Sequence, residues 1–185
     1  MWAGGFTGSE GNTFRDSVID AVETMQLAAQ LNADCLVMYS GAWGGHTTTH
    51  AQRLVRNALR ELLPFAEEFG VPLAIEPMHP GCGGEWTFLE TIADTLELLD
   101  EFENPFLRVA VDTYHLGFEC LETSSRIRDL AEIAHRVAIV HLGDGVDVPV
   151  DHRHHDDRRR PRCNRQAGAG HRSIDQEVLC MTLQE

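Results

Sequence analysis

Hydrophobic positions along this chain alternate between two patterns, a stripe of helical period and a short unbroken run. From about Thr13 to Gln30, Val18, Val22, Met25 and Ala29 fall on one helical face. Thr13 and Asp16 have capping-box spacing at its start. The run CLVMYS (35–40) follows. A second helix is expected over about His50–Phe69, carrying Leu54, Ala58, Leu62, Phe65 and Phe69, with Gly70 as its stop. VPLAIEP (71–77) is the next run. Thr87 and Glu90 repeat the capping-box spacing and open a helix bearing Ile92, Leu96 and Leu99. LRVAVD (107–112) is the third run. A helix near Thr123–Arg136, with Ile127, Leu130 and Ala134, leads to the fourth, VAIVHL (137–142).

Strands beginning near Cys35, Val71, Leu107 and Val137 are spaced by 36, 36 and 30 residues, with one helix in each gap. Near-continuous apolar strands alternating with helices predict a parallel sheet covered by helices. The choice lies between a doubly wound sheet and a (β/α)8 barrel. No GxGxxG or Walker loop follows any strand, which weakens the nucleotide-binding versions. A whole barrel takes about 250 residues. Four strand–helix units in 185 residues therefore predict an incomplete (β/α)8 TIM barrel over residues 1–150. The opening MWAGGFTGSEG reads as the tail of a preceding unit. Beyond Pro149 the hydrophobic period ends, and residues 151–185 are expected to form a divergent, poorly ordered tail. Its HRHHDD run is a compositional patch of such a tail rather than a metal cluster.

Composition narrows the function. A hydrophobic content of 43% and a charged content of 24% are ordinary for a soluble globular protein. The net charge is −14, and residues 1–150 alone carry −15, which disfavours a nucleic-acid partner. All 15 basic residues are arginine, so neither a lysine Schiff base nor a Walker lysine is available in this chain. No apolar stretch approaches the roughly 20 residues that span a bilayer, and the first residues lack the pattern of a signal peptide. Five dispersed cysteines without a CxxC pair suit a reduced, cytoplasmic protein. Cys35 is expected in a strand as a small hydrophobe.

Chemistry gathers where the runs end. The segments are SGAWGGHTTTH after the first strand, EPMHPGCGGEW after the second, DTYHLGFEC after the third and HLGDGVD after the fourth. In parallel α/β folds these ends share one face, where sites form. Glu76, Asp112 and His141 end their runs at comparable register and would converge there. Two carboxylates and an imidazole make a mixed oxygen and nitrogen set suited to Mn²⁺, Mg²⁺, Co²⁺ or Zn²⁺. Such an ion acts as a Lewis acid on a carbonyl and hydroxyl, lowering the cost of an enediolate. Glu76 can ligate with one oxygen and take a proton with the other. His79 and His46 lie in Gly/Pro-rich loops that either cover the site or simply turn. Trp43 and Trp86 either wall the pocket or plug the barrel end.

LAIEPMHP, VAVDTYHLG and IVHLGDG, in this order and spacing, resemble the xylose isomerase-like TIM barrels, the sugar phosphate isomerases and epimerases related in fold to the endonuclease IV group. GGFTGSEG and SGAWGGHT resemble one subgroup of them. The likeness covers roughly residues 4–147 and implies truncation at both ends, with the strands here being barrel strands four to seven. It implies that Glu76, Asp112 and His141 are metal ligands, that Glu76 is a proton-transferring base, and that His115 of the D-x-x-H motif contacts substrate oxygens. In the family a Glu from the eighth strand completes the set, and no matching strand is visible after Val150.

The expected function is thus a divalent-metal-dependent isomerase or epimerase of a sugar or sugar phosphate. Glu76 would be catalytic, Glu76, Asp112 and His141 metal-binding, and His115, His79 and His46 substrate-binding. One alternative is an endonuclease IV-like phosphodiesterase. The other is a catalytically incomplete fragment that at most binds metal or sugar. A small molecule is the expected partner, without membrane or nucleic acid, and exposed sheet edges would favour a homo-oligomer.

Overall fold

The four apolar runs become four parallel strands in sequential order: β1 (Leu36–Met38), β2 (Leu73–Ile75), β3 (Leu107–Asp112) and β4 (Val137–His141). Helix α1 (Phe14–Gln30) precedes β1, α2 (Thr48–Phe69) links β1 to β2, and α3 (Ile92–Asp100) links β2 to β3. The computed structural model describes residues 5–8, 12–80, 86–116, 131–143 and 180–181. A two-residue strand, β5 (Cys180–Met181), pairs antiparallel with β4 and is the only strand after it among the described residues. The arrangement is an incomplete α/β barrel. No described helix is long and apolar enough to cross a membrane.

Successive strand residues face opposite sides. Leu36, Met38, Leu73, Ile75, Leu107, Val109 and Val111 face the helices and join Met25, Val55, Leu59 and Leu62 in one large core. Each such side chain, fully buried, contributes about 1.5–3 kcal/mol relative to exposure. The other face carries only a small cluster of Val37, Ala74 and Ala110, with Cys35, Ala138 and Ile139 packed against it. Cys35 thus behaves as the small hydrophobe expected, one residue before β1.

Helix α1 starts as its sequence predicts. Thr13 Oγ1 accepts from Asp16 N, and the Asp16 carboxylate accepts from Thr13 N at 3.1 Å, a complete capping box. Gly70 ends α2 in the left-handed conformation at φ 68°. The buried stripes are turned slightly from those expected. Ala51, Val55, Ala58, Leu59, Leu62, Leu63 and Ala66 line the core side of α2, while Leu54, Phe65 and Phe69 sit at its margin. On α1, Ala21 and Ala28 are buried, with Val22 and Ala29 beside them.

The start of α3 is a correction. Thr91, not Thr87, is the N-cap, accepting from Asp94 N at 3.0 Å. Thr87 is wholly buried, with Oγ1 2.7 Å from Ser40 Oγ and accepting from Leu89 N. It ties the chain after β1 to the chain after β2, a demand that local spacing does not reveal. Of the helix expected over 123–136, residues 123–130 lie outside the described residues. The rest ends in a single 3-10 turn, Ala134–Arg136, directly before β4. The tail expected over 151–185 also lies outside them, apart from β5. Near the other terminus, Phe6 is buried in the main core and its N–H donates to Ser40 O at 3.3 Å. Gly5 packs there on Gly41 so closely that a Cβ would stand 2.5 Å from Gly41 Cα.

Candidate metal and substrate site

Two residues beyond the small inner cluster, each strand places a polar side chain on the same face. Val37 is followed by Tyr39, Ala74 by Glu76, Ala110 by Asp112 and Ile139 by His141. The last of these depends on an irregularity. Val109 pairs with Val137, but Ala110 pairs with Ile139, so β4 carries one extra residue at Ala138. With strict alternation from the helix-facing Val137, His141 would face the helices. The bulge instead sets it directly opposite Asp112.

Glu76 lies at the centre of this row. It is 2% exposed, its N–H donates to Met38 O at 3.1 Å, and His141 Nδ1 stands 3.2 Å from its Oε1. Oε2 has no hydrogen-bond partner among the described residues. A buried carboxylate with an unsatisfied oxygen is expensive unless a cation or donor is supplied. Asp112 serves twice: Oδ1 accepts from Tyr114 N at 2.7 Å, turning the chain into the helical residues 113–116, while the side chain stays on the inward row. Gly143 locks the ends of β3 and β4, its N–H donating to Thr113 Oγ1 at 3.0 Å and its carbonyl accepting from Thr113 at 3.1 Å.

Glu76, Asp112 and His115 each offer a donor atom, all within 4.8 Å of one another. Two oxygens and a nitrogen in a partly buried site suit a hard or borderline divalent cation, so the residues fit the group that the sequence implies. His141 adjoins this group through Glu76. The hydrogen bond to Glu76 raises the His141 pKa, opposed by burial and aided by the Glu76 and Asp112 charges. Burial lowers the pKa of His115, against the pull of Asp112 and Glu76. Burial, with the neighbouring His115, also lowers that of His79. Both rings are therefore neutral near pH 7 and can offer a lone pair as well as an N–H.

The structure brings together five of the six residues singled out from sequence. Glu76, Asp112 and His141 share the inward row, and the His115 ring centroid lies 5.2 Å from that of His79. Tyr114 packs edge-on against His79 at 5.3 Å. His46 stands apart: it is exposed, its Nε2 is 2.9 Å from Thr7 O, and its ring lies against His50 at 4.6 Å. Trp43 stacks on Phe88 at 4.8 Å and packs on the helix-side core rather than walling the site. The residue that sequence reading missed is Tyr39. It is 5% exposed and, one residue past β1, stands beside Glu76, one residue past β2, the two strands pairing in register. Burial first, then the Glu76 charge, pushes its pKa far up, so it remains a neutral phenol. Counting two residues past the inner apolar position of β1, as for the other strands, would have found it.

Comparison with known proteins follows the same line. The sequence profile of the xylose isomerase-like TIM barrels matches residues 2–176. A D-psicose 3-epimerase of Enterocloster bolteae is 32% identical over 92 residues, covering 50% of this chain and 28% of that protein. Among solved structures, protein SMc04130 from Sinorhizobium meliloti 1021 superposes with a TM-score of 0.53 at 33% identity, covering 60% of this chain and 42% of the other. The 3-keto-D-glucoside 4-epimerase YcjR from E. coli superposes with a TM-score of 0.65 at 15% identity, covering 78% and 56%. A structure of the IolI protein with a bound zinc atom shares the fold, at 19% identity, a TM-score of 0.57 and coverages of 74% and 47%. This chain spans roughly a quarter to just over half of the length of these relatives.

Proposed function

Because the chain belongs to the xylose isomerase-like TIM barrel family, we propose that it carries the metal-binding half of an isomerase or epimerase acting on a sugar or sugar phosphate. The observation that carries this reading is the buried Glu76 carboxylate, with His141 on one oxygen and the other oxygen unsatisfied, beside Asp112 and His115. The epimerases among its relatives and the zinc of IolI support it.

Glu76, Asp112 and His141 would hold a divalent cation, with His115 alongside. When bound, the ion supplies Lewis acidity that favours an enediolate over a free carbanion. Glu76 is the base: a carboxylate withdrawn from water is poised to take the proton from the carbon next to a carbonyl. His141 steadies it through the 3.2 Å contact. His115 and His79, neutral and partly buried, donate to or accept from substrate hydroxyls.

Titration of Mn²⁺ or Co²⁺ into the wild type and Asp112→Asn tests the site. Tight binding by the first and weak binding by the second is expected; equal binding sinks the proposal. Incubation with a ketose panel in D₂O, followed by NMR, reads the chemistry as exchange at the carbon beside the carbonyl. Metal binding without exchange would favour a binder that does not turn over. Cleavage of an abasic duplex would favour phosphodiesterase chemistry instead.

A further inference from the structure

The inward row has four members, and the function above uses three. Tyr39 occupies the place on β1 that Glu76, Asp112 and His141 occupy on β2 to β4. The position below it on the row is Val37, and a second aliphatic residue would satisfy packing equally well. A phenol instead brings one O–H into a buried, acid-rich place, at the cost of desolvating it. That O–H has a use. Glu76 hangs from two methylenes, and a hydrogen bond from one side only would leave its carboxylate free to swing.

We propose that Tyr39 is a positioning residue for Glu76, its phenol donating to the carboxylate oxygen that His141 also contacts and so fixing the direction in which the unsatisfied oxygen points. The inference rests on the metal-site reading of Glu76. Outer partners that orient a ligand typically change metal affinity by about 10–100-fold. Tyr39 acts this way without touching the ion. His141 and Tyr39 then hold the carboxylate from two strands, β4 and β1, on either side of β2.

The test uses the full chain and Co²⁺ alone, followed by its visible spectrum. Tyr39→Phe should bind Co²⁺ about 10–100-fold more weakly than the wild type and with an altered ligand-field spectrum. Ser17→Ala removes a hydroxyl that is equally buried on the helix side and should bind as the wild type does. Tyr39→Phe matching the wild type in affinity and spectrum overturns the inference while leaving the metal site standing. A wild type that binds no Co²⁺ overturns the proposed function and this inference with it. A second measurement needs no folded variant at position 39. The chain has two tyrosines, so fluorotyrosine labelling gives two fluorine resonances, assigned with Tyr114→Phe. The Tyr39 resonance should shift on adding Zn²⁺, and an unmoved resonance overturns the proposal.

Discussion

The two faces of the sheet are built from the same strands by alternate residues, yet they are different materials. Toward the helices stand Leu36, Met38, Leu73, Ile75, Leu107, Val109 and Val111, in one continuous apolar core with α1, α2 and α3. Toward the barrel interior stand Val37, Ala74 and Ala110, small and few, and above them Tyr39, Glu76, Asp112 and His141. The helix face binds the layers through area removed from water. The interior face buries too little apolar surface to do the same, and its small residues leave room at the strand ends. Stability and chemistry are thus divided by residue parity, and a single-residue shift in register would exchange them.

The division can be broken most severely from the helix side. Leu73 is fully buried there, and Leu73→Ala should cost about 2–5 kcal/mol in denaturant unfolding. A loss below about 1 kcal/mol would mean that the helix face does not carry the fold. On the interior side, Asp112→Asn keeps an oxygen to accept from Tyr114 N while removing the charge. It should weaken Co²⁺ binding by roughly 100-fold or more with a stability change of only about 0.5 kcal/mol. A large fall in the unfolding midpoint would show that Asp112 is chiefly a turn residue.

Smaller effects sharpen the contrast. Thr91→Ala should cost about 1 kcal/mol by removing the α3 cap and leave metal binding unchanged, while Glu90→Ala should do little to either. The weakest signal comes from His141. Its folded pKa is raised by Glu76, so in metal-free protein its contribution to stability is complete below the unfolded histidine value near 6.5 and is lost as pH rises through the folded value. Glu76→Gln should flatten that window. An unchanged pH profile in chelator-treated Glu76→Gln would dissociate His141 from Glu76.

Much of this was legible locally. The Thr13–Asp16 capping box, the Gly70 stop and the four apolar runs are decided within a few residues of chain, and all appear where the pattern predicts. The Thr87–Glu90 spacing misled because Thr87 is claimed by Ser40, 47 residues earlier. Neighbouring Thr91 meets the same local rule with Asp94 and is free to cap. His46 meets a distant demand of the same kind: its Nε2 stands 2.9 Å from Thr7 O, tying the loop after β1 to the N-terminal segment.

The sequence by itself determined the alternation of strands and helices and put acids and histidines at the strand ends, because periodicity and turn chemistry act over short spans. The tertiary structure alone decided which face those residues share. The extra residue at Ala138 reverses the parity of β4 and turns His141 inward, opposite Asp112. Pairing across β1 and β2 brings Tyr39 beside Glu76. The bulge leaves no local mark, since it is fixed by what a strand pairs with, and the convergence is fixed by how strands stack side by side.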